Sequence, residues 1–148
     1  MADLADVARL VAADKGLATV TARRPDGSVQ ATVVNVGVLP HPVTGDDVVG
    51  YVVFGSTRKL AYWRLDPSAT VTIRVGWEWA TIEGTVDLIG PDDAFSGFDP
   101  AGVPQLLRDV FTAAGGTHDD WDEYDRVMAE QRRAAVLVRP QRVYSNPG

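Results

Sequence analysis

Cysteine is absent from this 148-residue chain, so disulfide bonds, thiolate metal sites and cysteine nucleophiles are excluded. No stretch approaches the roughly 18 consecutive apolar residues that a membrane-spanning helix needs, so none is predicted. Residues 1–16 have neither a basic start nor a long apolar run and are not expected to be a signal peptide. The absence of a signal peptide and of a membrane-spanning run predicts a cytoplasmic protein that acts away from membranes.

Positive charge is also scarce, because 14 lysines and arginines stand against 20 aspartates and glutamates. The net charge of −6 disfavours a nucleic-acid binder, which is normally basic. One of the two histidines, His118, precedes two aspartates and resembles a metal cluster only superficially. Helix capping accounts better for those acids, so no metal is predicted. A local cluster of cations can still bind an anion.

The length and the ordinary share of hydrophobic residues, 45%, predict a single globular domain spanning residues 1–148. Neither GxGxxG nor GxxxxGK[ST] occurs, which argues against a Rossmann or P-loop site. Apolar periodicity predicts helices at residues 3–14, 56–66, 103–113 and 119–133. β-branched runs between turn signals predict strands at residues 17–24, 29–39, 48–54, 70–75, 77–89, 134–139 and 141–144. This content predicts a mainly β fold, an antiparallel barrel with peripheral helices.

The predicted strand at residues 29–39 has apolar residues at both alternating positions. A strand of that kind is typically buried on both faces, inside a barrel or at a subunit interface. One small barrel cannot easily cover both faces, so this strand predicts a homodimer.

Two hydroxyls and two cations stand at the start of the predicted helix that follows Phe54. Free backbone N–H groups at a helix N-terminus favour an anion. Arg58 and Lys59 have the wrong charge for that end of the helix dipole, and a bound phosphate would reconcile them. The other interpretation is a solvated basic turn in which Ser56 or Thr57 only caps the helix.

Two further positions are weaker candidates for a ligand pocket. Trp77 stands two residues before Trp79 on a predicted strand, so the two indoles share a face and could wall a planar ring. Their alternative role is a core or dimer-interface pair. Asn35, with Thr32 nearby, interrupts an apolar strand and could either hydrogen-bond a cofactor ring or be satisfied internally.

The order of these segments resembles the flavin/deazaflavin oxidoreductase family, which has the split β-barrel fold of pyridoxamine 5'-phosphate oxidase. The likeness covers nearly the whole chain and is closer to the actinobacterial branch that binds the deazaflavin coenzyme F-420. The motifs that carry it are residues 18–20 with the turn 25–27, Lys59 with 63–67, Gly76-Trp77 with 82–84, residues 120–124, and the ending from Arg132-Arg133 to Val143-Tyr144.

This resemblance implies a dimer with the cofactor in a groove between subunits. Lys59 matches the lysine of the family's Arg-x-Lys phosphate pattern, whereas the arginine, Arg58, is displaced to the adjacent position. The cofactor phosphate is then expected at Lys59, Arg58, Thr57 and Ser56, and the ring near Asn35 and Trp77.

The predicted function is therefore an F-420-dependent oxidoreductase, expected to be a reductase that passes a hydride to a small electron-poor substrate. In such enzymes the cofactor carries the chemistry, which explains why no catalytic acid or base stands out. Two alternatives stay open. One is an FMN-binding protein related to pyridoxamine 5'-phosphate oxidase, and the other is a non-enzymatic module that binds a cofactor or a tetrapyrrole-like ligand.

Overall fold

The structure, a computed structural model, describes residues 2–146. Within that range the strands are β1 (Leu17–Arg23), β2 (Val29–Asn35), β3 (Gly37–Pro40), β4 (Asp47–Val53), β5 (Ser68–Val75), β6 (Glu78–Ile89) and β7 (Ala134–Ser145). The helices are α1 (Leu4–Ala13), α2 (Arg58–Leu65), α3 (Val103–Ala113) and α4 (Trp121–Glu130), with a 3-10 turn at Pro100–Gly102. The predicted mainly β fold with peripheral helices is confirmed. None of the helices in residues 2–146 has the length and apolar character needed to cross a membrane.

The strands form one antiparallel sheet in the order β2-β1-β5-β6-β7-β4-β3. Its two edge strands, β2 and β3, are separated in the chain by the single residue Val36, so the sheet has to curl into a barrel. The Val36 N–H donates to the Gly16 carbonyl at 2.8 Å and holds this crossing in place.

The barrel is split on one side of β4. This strand pairs with β3 only at residues 47–50, whereas it pairs with β7 at residues 49–53. In the described part of the chain, residues 51–53 therefore have a ladder partner on one side only, and β2 diverges from them. The split is the place where side chains can reach the barrel interior from outside.

Two apolar clusters stabilise the fold. One fills the barrel and includes the fully buried Val20, Val71 and Ile82. The other lies where α3 and α4 cover the outer face of the sheet and includes Val110 and Leu137. Residues 134–138 of β7 are buried on both faces, because successive side chains enter the two clusters in turn.

The prediction of one strand over residues 29–39, buried on both faces, is wrong. The structure breaks this segment at Val36, and β2 alternates between exposed and half-buried residues. Val29 and Val33 are 56% and 69% exposed. The break follows from the crossing between sheet edges. It also requires Gly37, because a Cβ there would lie 2.3 Å from the backbone of Ala113.

Other predicted boundaries also shift. The helix predicted at residues 56–66 begins at Arg58, and the one predicted at 119–133 ends at Glu130, before Arg132 takes a φ of +48°. Trp77 lies in the turn before β6 and not on a strand. The two predicted final strands form one strand, because the sheet absorbs Pro140 in a register shift opposite Gly84.

His41, predicted only to lie in a loop, is buried and holds that loop to the barrel. Its Nδ1 accepts the N–H groups of Val43 and Thr44 at 3.1 and 3.3 Å. The proton is therefore on Nε2, which lies 3.0 Å from the Asp87 carboxylate and donates to it. Arg139 donates to the same carboxylate at 2.8 Å.

Replacing His41 with alanine should lower the free energy of unfolding by roughly 2–4 kcal/mol, because two backbone donors lose their acceptor and the Asp87 carboxylate keeps only Arg139 as a donor. Urea unfolding measures the change. The matched control is His118→Ala, whose ring makes one local hydrogen bond to the Asp120 N–H and should cost clearly less. Equal losses for the two variants would contradict the role assigned to His41.

Candidate functional site

A cavity of about 380 Å³ opens at the split in the barrel. Its walls are formed by the end of β2, the middle of β4, the end of α3 with the glycines that follow it, and α4. Among its lining residues are Val34, Asn35, Tyr51, Phe111 and Tyr124. The mixture of apolar and aromatic walls with a few polar groups is typical of a small-molecule site.

The charged residues that line this cavity are Lys15 and Arg133, and no carboxylate lines it within residues 2–146. The Arg133 guanidinium lies 3.5 Å from the centre of the Phe54 ring, and its Nε donates to Gln131 at 2.8 Å. Burial lowers the pKa of Arg133 but leaves it charged at neutral pH. In a chain with a net charge of −6, this cavity is locally positive and favours an anionic ligand.

Tyr51, one of the residues that line the cavity, carries a hydroxyl that the protein itself does not use. Its side chain is 1% exposed and packs edge-on against Trp63, with 6.0 Å between ring centres. The hydroxyl has no hydrogen-bond partner in the described structure, and burial raises its pKa, so it keeps its proton. A buried hydroxyl without a partner is costly, and a ligand acceptor in the cavity would remove that cost.

Lys59, the second residue of α2, reaches into the split. It is 6% exposed, its Nζ donates to Thr32 Oγ1 at 2.7 Å, and it lies 5.3 Å from the centre of the Tyr51 ring. Burial lowers the pKa of Lys59, and no carboxylate in residues 2–146 pairs with it. An ammonium group has three donors, so two of those of Lys59 remain available to an anion.

The start of α2 keeps its N–H groups open. Thr57 occupies the N-cap position, but its hydroxyl makes no capping hydrogen bond, and Ser56 and Arg58 are exposed. The loop before the helix is fixed to the end of α4, because the Gly55 N–H donates to the Gln131 carbonyl at 3.1 Å. The four predicted phosphate residues are thus contiguous at one helix end, close to the Phe54–Arg133 pair.

The remaining two predicted site residues lie in different places. Asn35 lines the cavity, and its Nδ2 donates to the Lys15 carbonyl at 2.8 Å, which leaves Oδ1 unused by this contact. Trp77 does not line the cavity. It is 94% exposed and borders another depression together with Trp79 and Tyr144.

Sequence reasoning did not select Tyr51, Arg133 or Lys15 for the site. Tyr51 carried a signal, because it interrupts the apolar inward positions Val49 and Val53 in the same way that Asn35 interrupts its own strand. Arg133 carried none, because its position after a helix rich in acids is already explained by the helix dipole.

The chain matches no protein-family model. Its fold is similar to that of solved structures at low sequence identity. The conserved hypothetical protein Rv2991 from Mycobacterium tuberculosis has a TM-score of 0.69 and 17% identity, with 98% of this chain and 84% of that one covered. An F420 reductase has a TM-score of 0.58 and 14% identity, with 86% and 88% covered.

A pyridoxamine 5'-phosphate oxidase-related, FMN-binding protein from Nostoc punctiforme has a TM-score of 0.66 and 12% identity, with 96% of this chain and 81% of that one covered. Identities this low show the fold, and the resemblance drawn from the sequence is confirmed at that level. The chain therefore has the split β-barrel fold shared by the F420 reductase and by the FMN-binding protein related to pyridoxamine 5'-phosphate oxidase.

Proposed function

We propose that the protein is an F-420-dependent oxidoreductase, a reductase that acts on a small electron-poor substrate. The observation that carries this proposal is the cavity at the split, which combines aromatic walls, two cations, no carboxylate within residues 2–146 and the unused Tyr51 hydroxyl. A planar anionic cofactor fits each of these features. When bound, the deazaflavin supplies the hydride from its C5.

The phosphate is assigned to the start of α2. Ser56 and Thr57 present hydroxyls and Arg58 presents a guanidinium from outside, beside the uncapped N–H groups of the first helical turn. Lys59 presents its ammonium from inside the split. The donors thus approach an anion from two sides, which is the arrangement that charge-assisted hydrogen bonds favour. A purely solvated turn would not bury a lysine without a carboxylate partner.

The ring is assigned to the cavity itself. Tyr51 would donate to a ring acceptor, and the Asn35 Oδ1 would accept from a ring N–H. Phe111 and Tyr124 pack against each other at 5.1 Å between centres and exclude water from the outer wall. Trp77 lies away from the cavity of its own chain, so its proposed contact with the ring requires a second copy of the chain.

A homodimer is part of the proposal, now on different grounds. The outer face of β1 and β2 exposes Leu17, Val29 and Val33, which are 45%, 56% and 69% exposed. Thr19, which pairs with Val33, carries no charge. The charged residue at the end of this face, Arg23 opposite Val29, is paired with Asp66. A surface of this kind is suited to pack on a copy of itself.

FMN is the second candidate cofactor, since it also joins a phosphate to a planar ring and is bound by one structural neighbour. We expect F-420 to bind more tightly than FMN in parallel fluorescence titrations of the purified protein. Tighter binding of FMN would assign the protein to the FMN-dependent alternative. Binding of a haem-type ligand alone would instead favour a non-enzymatic tetrapyrrole-binding module.

Replacing Lys59 with methionine keeps the buried stem and removes the ammonium. Cofactor affinity should fall on the order of tenfold to a hundredfold through loss of a charge-assisted hydrogen bond. Fluorescence titration measures this loss. The matched control is Arg64→Met on the same helix, where the guanidinium is engaged by Asp93 at 2.7 and 2.8 Å and affinity should be unchanged. Equal affinities in all three proteins would refute the phosphate assignment.

The same Lys59→Met variant makes a pH prediction for the ligand-free protein. Burial lowers the pKa of Lys59 below its ordinary value of 10.5, so between the two values the unfolded chain binds more protons than the folded one. The parent protein should therefore gain stability as pH rises through this window. Urea unfolding should show the variant more stable near neutral pH, with the difference shrinking towards pH 10.5. A difference that does not depend on pH would contradict the buried charge.

Tyr51→Phe removes a hydroxyl that has no partner in the ligand-free protein. The free energy of unfolding of the ligand-free variant should be about 1 kcal/mol higher than that of the parent protein. Its cofactor affinity should be lower, because the proposed hydrogen bond to the ligand is lost. Tyr124→Phe is the matched control, because that hydroxyl donates to the Leu107 carbonyl at 3.0 Å and its loss should destabilise the protein by about 1 kcal/mol. Urea unfolding with parallel titrations tests both, and a Tyr51→Phe protein with unchanged cofactor affinity would exclude a hydrogen bond from this hydroxyl to the ligand.

Sedimentation at micromolar concentration should give twice the chain mass of 15.9 kDa. Val33→Glu should raise the dimer dissociation constant at least about tenfold, because the interface would bury an unpaired carboxylate. Val43→Glu, in the loop after β3 and 41% exposed, is the control and should leave the mass unchanged. A parent protein that sediments as a monomer would refute the homodimer.

A further inference from the structure

A second cavity, of about 370 Å³, lies between α3, α4 and the loop that follows β6. Its walls are mostly apolar and include three prolines, a leucine and a methionine: Pro91, Pro100, Pro104, Leu107 and Met128. Prolines have a fixed φ and no rotamers to lose, so these walls are rigid before any ligand arrives. Such a preformed cavity can bind an apolar body at little ordering cost.

One of the two charged residues that line this cavity, Arg133, has no carboxylate partner in the described chain. Asp125 and Arg133 are the charged residues that line it in the described chain. The Asp125 carboxylate accepts from Nε and Nη2 of Arg108, at 2.9 and 2.5 Å. Arg133 uses Nε for Gln131 and stacks on Phe54, and no carboxylate in residues 2–146 pairs with it.

We propose that this second cavity is a binding site for a small monoanion with a rigid aromatic or alicyclic body. Its carboxylate would meet the terminal N–H groups of Arg133, whose planar fork matches that shape. Its ring would lie against the prolines, with the Met128 thioether at the ring edge. The apolar walls strengthen the ion pair, because little water competes for the guanidinium, and the Asp125 carboxylate is already paired with Arg108.

This site adjoins the proposed cofactor site, because Arg133 and Met128 line both cavities. The experiment therefore uses the ligand-free protein and needs neither F-420 nor FMN. Its failure would leave the proposed oxidoreductase function untouched, and the reverse also holds.

The probes are 2-naphthoate and the neutral alcohol of the same ring system, 2-naphthylmethanol, titrated calorimetrically. The carboxylate should bind at least about tenfold more tightly than the alcohol to the parent protein. Arg133→Met should abolish this preference, and Ala129→Leu, which narrows the second cavity, should weaken both probes. Ala129 does not line the first cavity, so F-420 or FMN binding should be unchanged in that variant.

NMR chemical shifts of the backbone amides in the parent protein locate the site without any variant. Addition of 2-naphthoate should shift signals from residues 90–104 and 125–129. Shifts confined to residues 34–35 and 114–116 would place the anion in the first cavity and overturn the proposal. Equal binding of the carboxylate and the alcohol, or no binding of either at millimolar concentration, would also overturn it.

Discussion

The crossing of the chain at Val36 is the constraint on which the rest of the structure depends. One residue joins the two edges of a seven-stranded sheet, so these edges must meet at this point. The Val36 N–H bonded to the Gly16 carbonyl, with no room for a Cβ at either Gly16 or Gly37, fixes how closely they meet. Beyond the crossing, β2 and β4 must diverge, and the divergence creates the split.

The split explains why the interior of the barrel is not wholly apolar. Lys59 enters it from α2, and the unpaired hydroxyl of Tyr51 and indole N–H of Trp63 lie beside it. Each of these groups costs folding free energy in the ligand-free protein. Buried polar groups without partners are concentrated at functional sites. Here Tyr51 lines the cavity, and Lys59 and Trp63 lie 5.3 and 6.0 Å from the centre of its ring.

Much of the fold was accessible from local sequence signals. The turn at residues 25–27 joins β1 and β2 as predicted, with Gly27 at a φ of +88°. The helix predicted to begin at residue 56 begins at Arg58, two residues later. The break at Val36 was missed, because it depends on which sheet edges meet and on the approach of Ala113, neither of which local periodicity records.

The residues of the candidate site also differ in whether local sequence signals reveal them. Asn35 was found because a polar residue in an apolar strand is visible in the sequence, and it does line the cavity. Arg133 was not selected, because its place in the cavity wall depends on Phe54, which is distant in the chain and lies under its guanidinium.

The contact between Gly55 and the end of α4 links two parts of the site mechanically. A Cβ on Gly55 would lie 2.5 Å from the Arg132 carbonyl, so the two backbones touch directly. Helix α4 also carries Tyr124 and Met128, which form walls of the cavity. A hinge motion of this helix would therefore carry the loop before α2 with it. Widening of the cavity proposed for the ring would then loosen the proposed anion site in the same movement. Entry and release of a ligand that spans both would then share a single kinetic barrier.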